Sequence, residues 1–188
     1  MSLSRKPRHR LAIATSGWSP RPPGLGRPRP SATGVLPDVE IRPYREADHG
    51  AVVALHERTI REAGTPPGKL PDTSDMADIE GAYADAGGAF FVGEHGGEIV
   101  AIGGLVPLNG ETGELKRMRV APEHQGRGFG TALLSALEGT ARDRGFDRLV
   151  LDTAERQGAA SFYRAAGYRE TGRRQWREFE LIELAKEL

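Results

Sequence analysis

The segment from Gln125 to Thr131 is the part of this sequence best suited to binding an anion. Three glycines, Gly126, Gly128 and Gly130, fall within five residues, and Arg127 lies among them. Glycine lets the backbone turn its N–H groups toward a ligand, and the helix predicted to follow places about half a positive charge at its N-terminus. The segment therefore predicts a pyrophosphate site. A ligand-free glycine turn is the less favoured interpretation.

The surrounding residues limit which phosphate ligand fits. A P-loop requires Lys-Ser or Lys-Thr after its glycines, which this segment lacks, so ATP binding by that route is excluded. A dinucleotide fingerprint is partly matched by Gly126, Gly128 and the acid Asp152. However, Thr131 occupies the third small-residue position and the preceding strands are predicted to be antiparallel, so NAD is a poor fit.

Cysteine is absent from the 188 residues, which excludes a thiolate nucleophile, a disulfide framework and cysteine-ligated metals. The five histidines are scattered, and no two have the i, i+4 spacing of ligands on one helix face, so we expect no metal site. No apolar run approaches the roughly eighteen residues of a membrane span. We therefore expect a cytoplasmic protein with no membrane partner.

Composition divides the chain at residue 38. Residues 1–38 contain seven Lys or Arg against one acid, together with seven of the thirteen prolines, and are predicted to form a disordered basic tail. Residues 39–188 are predicted to form a single folded domain. No aromatic residues interleave the basic cluster Arg5–Arg10, so nucleic-acid binding is not expected. An interaction protein built around the tail remains an alternative, which salt-sensitive binding to nucleic acid would reveal.

Hydrophobic patterning in residues 39–188 predicts an antiparallel meander followed by a long helix. Two short segments precede the meander, a helix capped by Asp48 and a second helix over Asp75–Glu80, whose acids we interpret as capping and solvated groups. The long helix ends at Gly145, and the turn His95–Gly97 predicts a hairpin. The predicted strands are Val39–Tyr44, Ala89–Glu94, Glu98–Val106, Glu114–Val120 and Leu149–Asp152.

The segment Glu114–Gly172 resembles the acyl-CoA-binding core of the GNAT superfamily of N-acetyltransferases. Gln125, Gly128 and Gly130 match the spacing of the family's glycine signature, and the stretch Ser161–Tyr168 is similar to its closing helix and strand. The resemblance extends more weakly upstream to Ile41. It implies an α/β (α+β) fold with a mixed, mostly antiparallel central sheet, flanked by helices, whose splayed strands hold CoA.

The family also implies which backbone groups bind the donor, acetyl-CoA. Groups at Met118 and Val120 would hold the acyl carbonyl and the pantetheine arm, and N–H groups of the glycine segment would hold the pyrophosphate. Independently, Leu115, Met118 and Val120 break strict alternation by one residue, as a β-bulge would. The expected CoA-binding residues are Met118, Arg119, Val120, Gln125, Gly126, Arg127, Gly128, Phe129, Gly130 and Thr131.

Two side chains are candidates for proton transfer. Tyr163 corresponds to the family's tyrosine that protonates the departing thiolate, although its place on an apolar helix face would also fit simple packing. Glu114, eleven residues before Gln125, is similar to the strand glutamate that serves as base in the histone-acetylating members. Glu98 and Asp152 are weaker alternatives. Many members carry an Asn before the tyrosine helix; here Gln157 stands in that turn.

These residues predict direct transfer of an acetyl group from acetyl-CoA to a primary amine, without a covalent enzyme intermediate. The alternative is a non-catalytic module that binds CoA for regulation. A small amine, an antibiotic, a lysine side chain and a protein N-terminus all remain open as acceptors. A predicted C-terminal strand, Gln175–Leu181, is an element that often contributes to dimers in this family, so a homodimer is a further expectation.

Overall fold

The structure, a computed structural model, describes residues 38–62, 73–154, 158–176 and 179–188. The described part contains a seven-stranded sheet in the order β1-β2-β3-β4-β5-β7-β6. The strands are β1 (Glu40–Pro43), β2 (Ala89–His95), β3 (Glu98–Pro107), β4 (Thr112–Val120), β5 (Arg148–Ala154), β6 (Arg169–Trp176) and β7 (Phe179–Glu187). The helices are α1 (His49–Glu62), α2 (Phe129–Asp143) and α3 (Ala159–Ala165). Short 3-10 turns occupy Glu46–Asp48, Ser74–Met76 and Pro122–His124, and a π-helical turn occupies Glu80–Ala84.

Strands β2, β3 and β4 form the predicted antiparallel meander, and β1 pairs antiparallel with β2. The β2–β3 hairpin turns at Gly96 and Gly97, whose φ angles of 61° and 83° are left-handed, as a two-residue hairpin loop requires. β4 and β5 are parallel, whereas β5–β7 and β7–β6 are antiparallel. The prediction of a mixed, mostly antiparallel sheet flanked by helices is therefore confirmed.

Helices cover the sheet on both faces because its buried strands are apolar on both sides. On β3, Ala101 and Leu105 pack in one hydrophobic cluster, which contains most of the buried residues of α2 and both buried residues of α3. Val100 and Ile102 point to the opposite face and belong to a second cluster, which contains Val52 and Leu55 of α1 together with Tyr83. The β-strand alternation thus gives each face its own core.

Two predicted elements are wrong. Asp75–Glu80 is not one helix: a 3-10 turn ends at Met76 and a separate π-helical turn starts at Glu80. Asp78 accepts a hydrogen bond from the N–H of Gly81 (2.9 Å), as a cap does, so a new turn begins here. The segment Gln175–Leu181 is not one strand, because Trp176 pairs with Phe179 across two antiparallel strands.

The tail predicted for residues 1–38 lies outside the described residues except for Asp38. The main-chain carbonyl of Asp38 contacts Nδ1 of His95, where β2 ends. Among the described residues, no helix is long and apolar enough to cross a membrane.

Candidate functional site

The strands β4 and β5 separate after three residue pairs. Thr112, Gly113 and Glu114 pair with β5, and the remainder of β4 is not in register with that strand. β4 continues alongside β3 to Val120, while β5 continues alongside β7 to Ala154. The sheet therefore opens into a splay between β4 and β5, as the family resemblance implied.

A β-bulge interrupts β4 inside this splay. Gly104 pairs with Lys116 and Ile102 pairs with Arg119, so two residues of β4, Arg117 and Met118, stand opposite one residue of β3. The register of the ladder skips from Lys116 to Arg119, which turns the backbone of Met118 away from regular strand pairing. The bulge predicted from the broken alternation is confirmed.

The glycine segment lies directly beyond the end of β4. Gly126 and Gly128 have φ angles of 73° and 84°, a left-handed conformation that a residue with a side chain adopts only with strain. Gly128 is the N-cap of α2, so the unpaired N–H groups of the first helical turn follow it. The side chain of Gln125 donates a hydrogen bond to the carbonyl of Val120 (3.2 Å) and ties the segment to β4.

One side chain of this segment packs in the core, and Arg127 lies exposed beside it. Phe129 is buried in the core. The guanidinium of Arg127 lies 4.9 Å from the Phe129 ring centroid and 2.9 Å from Nδ1 of His124. The ring of His95 packs edge-on against that of His124, with 5.3 Å between the ring centroids. The segment therefore offers an anion its backbone N–H groups and the charge of a nearby arginine.

Arg119 and Tyr163 lie close together at the splay. Tyr163, on α3, is buried in the cluster beneath α2, and its ring packs edge-on against Phe162 and Tyr168. Burial raises the pKa of Tyr163 to about 12, against the opposing effect of the Arg119 charge. The Arg119 guanidinium is buried and donates a hydrogen bond to the carbonyl of Met118 (2.8 Å).

Glu114 lies at the closed end of the splay, on the sheet face that Arg119 also occupies. Its β3 partner Val106 shares a face with Ile102, the partner of Arg119. The Glu114 carboxylate is 29% exposed, and Nζ of Lys116 lies 4.0 Å from it. The structure thus places Glu114 and Tyr163 on opposite faces of the splayed sheet. Gln157 lies outside the described residues.

His56 is a buried group that sequence reasoning assigned only to a helix face. Its ring is 2% exposed, and neither ring nitrogen has a hydrogen-bond partner. Burial lowers its pKa to about 4, assisted by the charges of Arg119 and Arg117 and opposed by that of Asp75. The ring is therefore neutral at pH 7 and lies on the α1 side of the bulge. His56 lies four residues after Val52 on α1, so its spacing is that of an ordinary core position and does not indicate an unpartnered histidine.

Asp75 is a second residue whose role the sequence did not indicate. Its carboxylate accepts hydrogen bonds from Nε of Arg117 (2.9 Å) and from the hydroxyl of Tyr83 (2.5 Å). Asp75 therefore forms an internal ion pair. The interpretation of this segment's acids as capping and solvated groups did not predict that contact. Among the described residues, no group of three or more acids and histidines is placed to hold a metal ion.

A surface cavity of about 540 Å³ lies outside the splay, between α1 and the first three strands. Five of its charged groups pair with one another: Arg42 bonds to Asp48 (2.7 Å) and to Glu94 (3.0 Å), and Arg58 bonds to Glu123 (3.0 Å). None of the expected CoA-binding residues lines this cavity, nor does Glu114 or Tyr163. The cavity is therefore separate from the splay.

The comparisons with known proteins agree with this arrangement. Residues 53–168 match the model of the Acetyltransferase (GNAT) family, and the chain belongs to that family. N-acetyltransferase 8F1 of Rattus norvegicus is 36% identical over 107 residues, an alignment that covers 54% of this chain and 48% of the relative. The chain thus spans about half the length of the curated relatives it matches.

Solved structures show the same fold. A GNAT-family acetyltransferase from Staphylococcus aureus superposes with a TM-score of 0.71 at 21% identity, covering 79% of this chain and 98% of that one. The protein yncA from Salmonella typhimurium, solved with its cofactor acetyl-CoA, superposes with a TM-score of 0.67 at 21% identity. That alignment covers 80% of this chain and 94% of the other.

Proposed function

We propose that this chain transfers an acetyl group from acetyl-CoA to a primary amine by direct attack. One observation carries the proposal: the bulge of β4 redirects backbone groups inside the splay, immediately before a left-handed glycine segment that opens α2. One continuous stretch of backbone would then bind both the thioester, at the bulge, and the pyrophosphate, at the glycine segment. Membership of the GNAT family supports the same reaction class.

The donor is expected to bind mainly through main-chain groups. N–H groups from Gln125 to Thr131 would bind the pyrophosphate, where the dipole of α2 favours negative charge. Backbone groups of Met118, Arg119 and Val120 would bind the acyl carbonyl and the pantetheine arm. The positive φ angles of Gly126 and Gly128 fit this role, because they orient successive N–H groups without strain.

Tyr163 is proposed as the general acid. Because its pKa is raised to about 12, the phenol keeps its proton at neutral pH and can donate it to the sulfur as the carbon–sulfur bond breaks. The N–H of Met118 would face the carbonyl oxygen, where negative charge develops during attack. Acetyl-CoA supplies the acyl group as a thioester, and the freed CoA leaves as the thiol.

Glu114 is proposed as the general base. An alkylammonium ordinarily has a pKa near 10.4, so the amine must lose a proton before or during attack. Glu114 would accept that proton as the carbon–nitrogen bond forms, and Tyr163 would recover its own proton from solvent. The overall reaction converts an amine and a thioester into an amide and a thiol.

The identity of the acceptor is proposed only as a class. A small amine, a lysine side chain or a peptide N-terminus would each supply the required nucleophile. A homodimer is proposed through β6, which is one of the two edge strands of the sheet formed by the described residues and has no strand paired with its outer edge there. A cytoplasmic location is proposed from the lack of cysteine in the sequence.

The competing function is a regulatory module that binds CoA without transfer. Both functions predict that CoA and acetyl-CoA raise the unfolding temperature, since a ligand at a hundred times its Kd stabilises a protein by about 2.7 kcal/mol. ATP and NADPH serve as controls in the same experiment. Stabilisation by NADPH alone, or by none of the four, would remove the acyl-CoA site, whereas amine-dependent thiol release separates the enzyme from the module.

A further inference from the structure

Arg117 has an unusual backbone conformation at the centre of the bulge. Its φ angle is 57°, and it is the one residue other than glycine with a positive φ in the described ranges. A side chain disfavours this left-handed region, so the conformation persists only where surrounding contacts enforce it. The contacts of the Arg117 side chain identify what enforces it.

Asp75 holds the guanidinium of Arg117 in a two-point ion pair. Nε of Arg117 donates to Oδ2 of Asp75 at 2.9 Å, and the terminal NH2 nitrogen donates to Oδ1 at 2.5 Å. The Arg117 side chain is 9% exposed and that of Asp75 is 19% exposed, so water competes little for these bonds. A paired, two-point contact fixes the orientation of the arginine as well as its position.

Tyr83 fixes the other end of this contact. Its hydroxyl donates to Oδ2 of Asp75 at 2.5 Å, and its ring is fully buried against Phe90, with 4.9 Å between centroids. The ring lies over Gly104, where an added Cβ would stand 2.2 Å from a ring carbon. Burial raises the pKa of Asp75, but the bonds from Arg117 and Tyr83 outweigh that effect and lower it overall.

We propose that Asp75 and Tyr83 are positioning residues for acyl transfer: they clamp Arg117 in the left-handed conformation and so direct the backbone of Met118 into the splay. The inference rests on the proposed function, because Met118 matters only if its N–H faces the acyl carbonyl. The ion pair between Asp75 and Arg117 connects the 3-10 turn Ser74–Met76 with the bulge of β4. Neither residue touches the donor in this account.

The test is a double-mutant cycle in the full-length chain. Asp75→Ala releases the guanidinium, and we expect kcat to fall by about tenfold to a hundredfold, which is no more than the loss from removing one oxyanion donor outright. The KM for acetyl-CoA should stay within about twofold, because the glycine segment is untouched. Tyr83→Phe keeps the buried ring, removes one hydrogen bond and should cause a smaller loss of kcat.

Arg117→Gly supplies the decisive comparison. Glycine adopts a φ of 57° without strain, so the bulge no longer needs the clamp. Arg117→Gly alone should therefore keep kcat within about threefold of the wild type, and adding Asp75→Ala should cost no more than about a further threefold. An ion pair with a merely structural role would instead lower kcat in Arg117→Gly as much as in Asp75→Ala. Asp85→Ala, which removes an exposed acid just after the turn that carries Tyr83, is the matched control and should leave kcat unchanged.

The outcomes separate this inference from the proposed function. Unchanged kcat in Asp75→Ala, or equal losses from Asp75→Ala in the wild type and in the Arg117→Gly variant, would overturn the clamp while leaving acetyl transfer intact. If Asp75→Ala fails to fold, Tyr83→Phe gives the same comparison with the core ring retained. A wild-type chain that releases no CoA with lysine amide, an Ala-Gly dipeptide or spermidine would contradict the proposed function and remove the inference with it.

Discussion

The positive charge of Arg119 lies close enough to Tyr163 to lower the pKa of its hydroxyl, although the two residues belong to opposite faces of the sheet where β4 and β5 separate. Burial raises the pKa of the phenol more than this charge lowers it, so that the pKa is about 12 overall. A buried cation also stabilises negative charge that develops nearby, whether on the phenolate or on a departing thiolate. The pair therefore combines a proton donor with a counter-charge at the place where the proposed reaction breaks the carbon–sulfur bond.

Replacing Tyr163 with Phe tests the general acid. The ring would remain in its edge-on packing with Phe162 and Tyr168, so thermal stability should change little. Turnover should fall by about a hundredfold or more, the usual contribution of a positioned acid. Steady-state kinetics and calorimetric titration with CoA measure the two effects separately. Full turnover in this variant would exclude Tyr163 from the mechanism.

Replacing Glu114 with Gln tests the general base. Near neutral pH the rate should fall by about a hundredfold or more, and raising the pH should recover part of it because more of the amine is then deprotonated in solution. The measurement is a pH–rate profile of kcat/KM for the amine. Glu111→Gln, an exposed carboxylate in the preceding turn, is the control. A Glu114→Gln profile that overlays the wild type would assign the base elsewhere.

Replacing Gly128 with Val tests the pyrophosphate site. A β-branched residue at φ 84° is strained and would turn the N–H groups away from a bound anion. We expect CoA to lose its stabilising effect of about 2.7 kcal/mol at a hundredfold excess over the wild-type Kd. Gly139→Val, in the middle of α2 with open space around it, should retain that effect. Retained CoA binding by the Gly128 variant would contradict the model of the site.

Replacing His56 with Leu tests the electrostatics of the α1 side. The folded chain holds the His56 pKa at about 4, below its ordinary 6.5. The unfolded chain therefore takes up a proton between pH 6.5 and pH 4 before the folded chain does, and stability falls as the pH falls through this window. The loss amounts to about 3 kcal/mol and is absent above pH 7.

The His56→Leu variant should lack this part of the pH dependence. It should also be more stable than the wild type by about 1 kcal/mol or more, because two unpartnered buried nitrogens are removed. Urea unfolding between pH 4 and pH 7 measures both. His49→Leu, on the same helix, should keep the wild-type slope. An unchanged slope in His56→Leu would show that the ring is solvated in the folded chain.

Elements with local causes were predictable from the sequence. Gly96 and Gly97, which are left-handed in the structure, predicted the hairpin. The apolar spacing of Leu133, Leu134 and Leu137 predicted α2. The shift of alternation around Met118 predicted the bulge. The glycine segment that includes Gly128 indicated where α2 begins. Each of these signals is contained within a few consecutive residues.

Contacts between distant segments were not predictable. Asp75 and Arg117 are 42 residues apart, and neither side chain carries a pattern that identifies the other. His56 follows the spacing of core residues, so its unpartnered nitrogens appear only in three dimensions. The two C-terminal strands were merged because Gln175 to Leu181 lacks the glycine or asparagine that signals a tight turn.

The most direct test of the central claim is release of CoA thiol by the full-length chain, measured with and without a primary amine. Lysine amide, an Ala-Gly dipeptide and spermidine cover a side-chain amine, an α-amine and a small polyamine. We predict that thiol appears at an amine-dependent rate and that mass spectrometry finds the acetylated amine in equal amount. Stabilisation by CoA without any amine-dependent thiol would contradict acetyl transfer and identify the chain as a CoA-binding module.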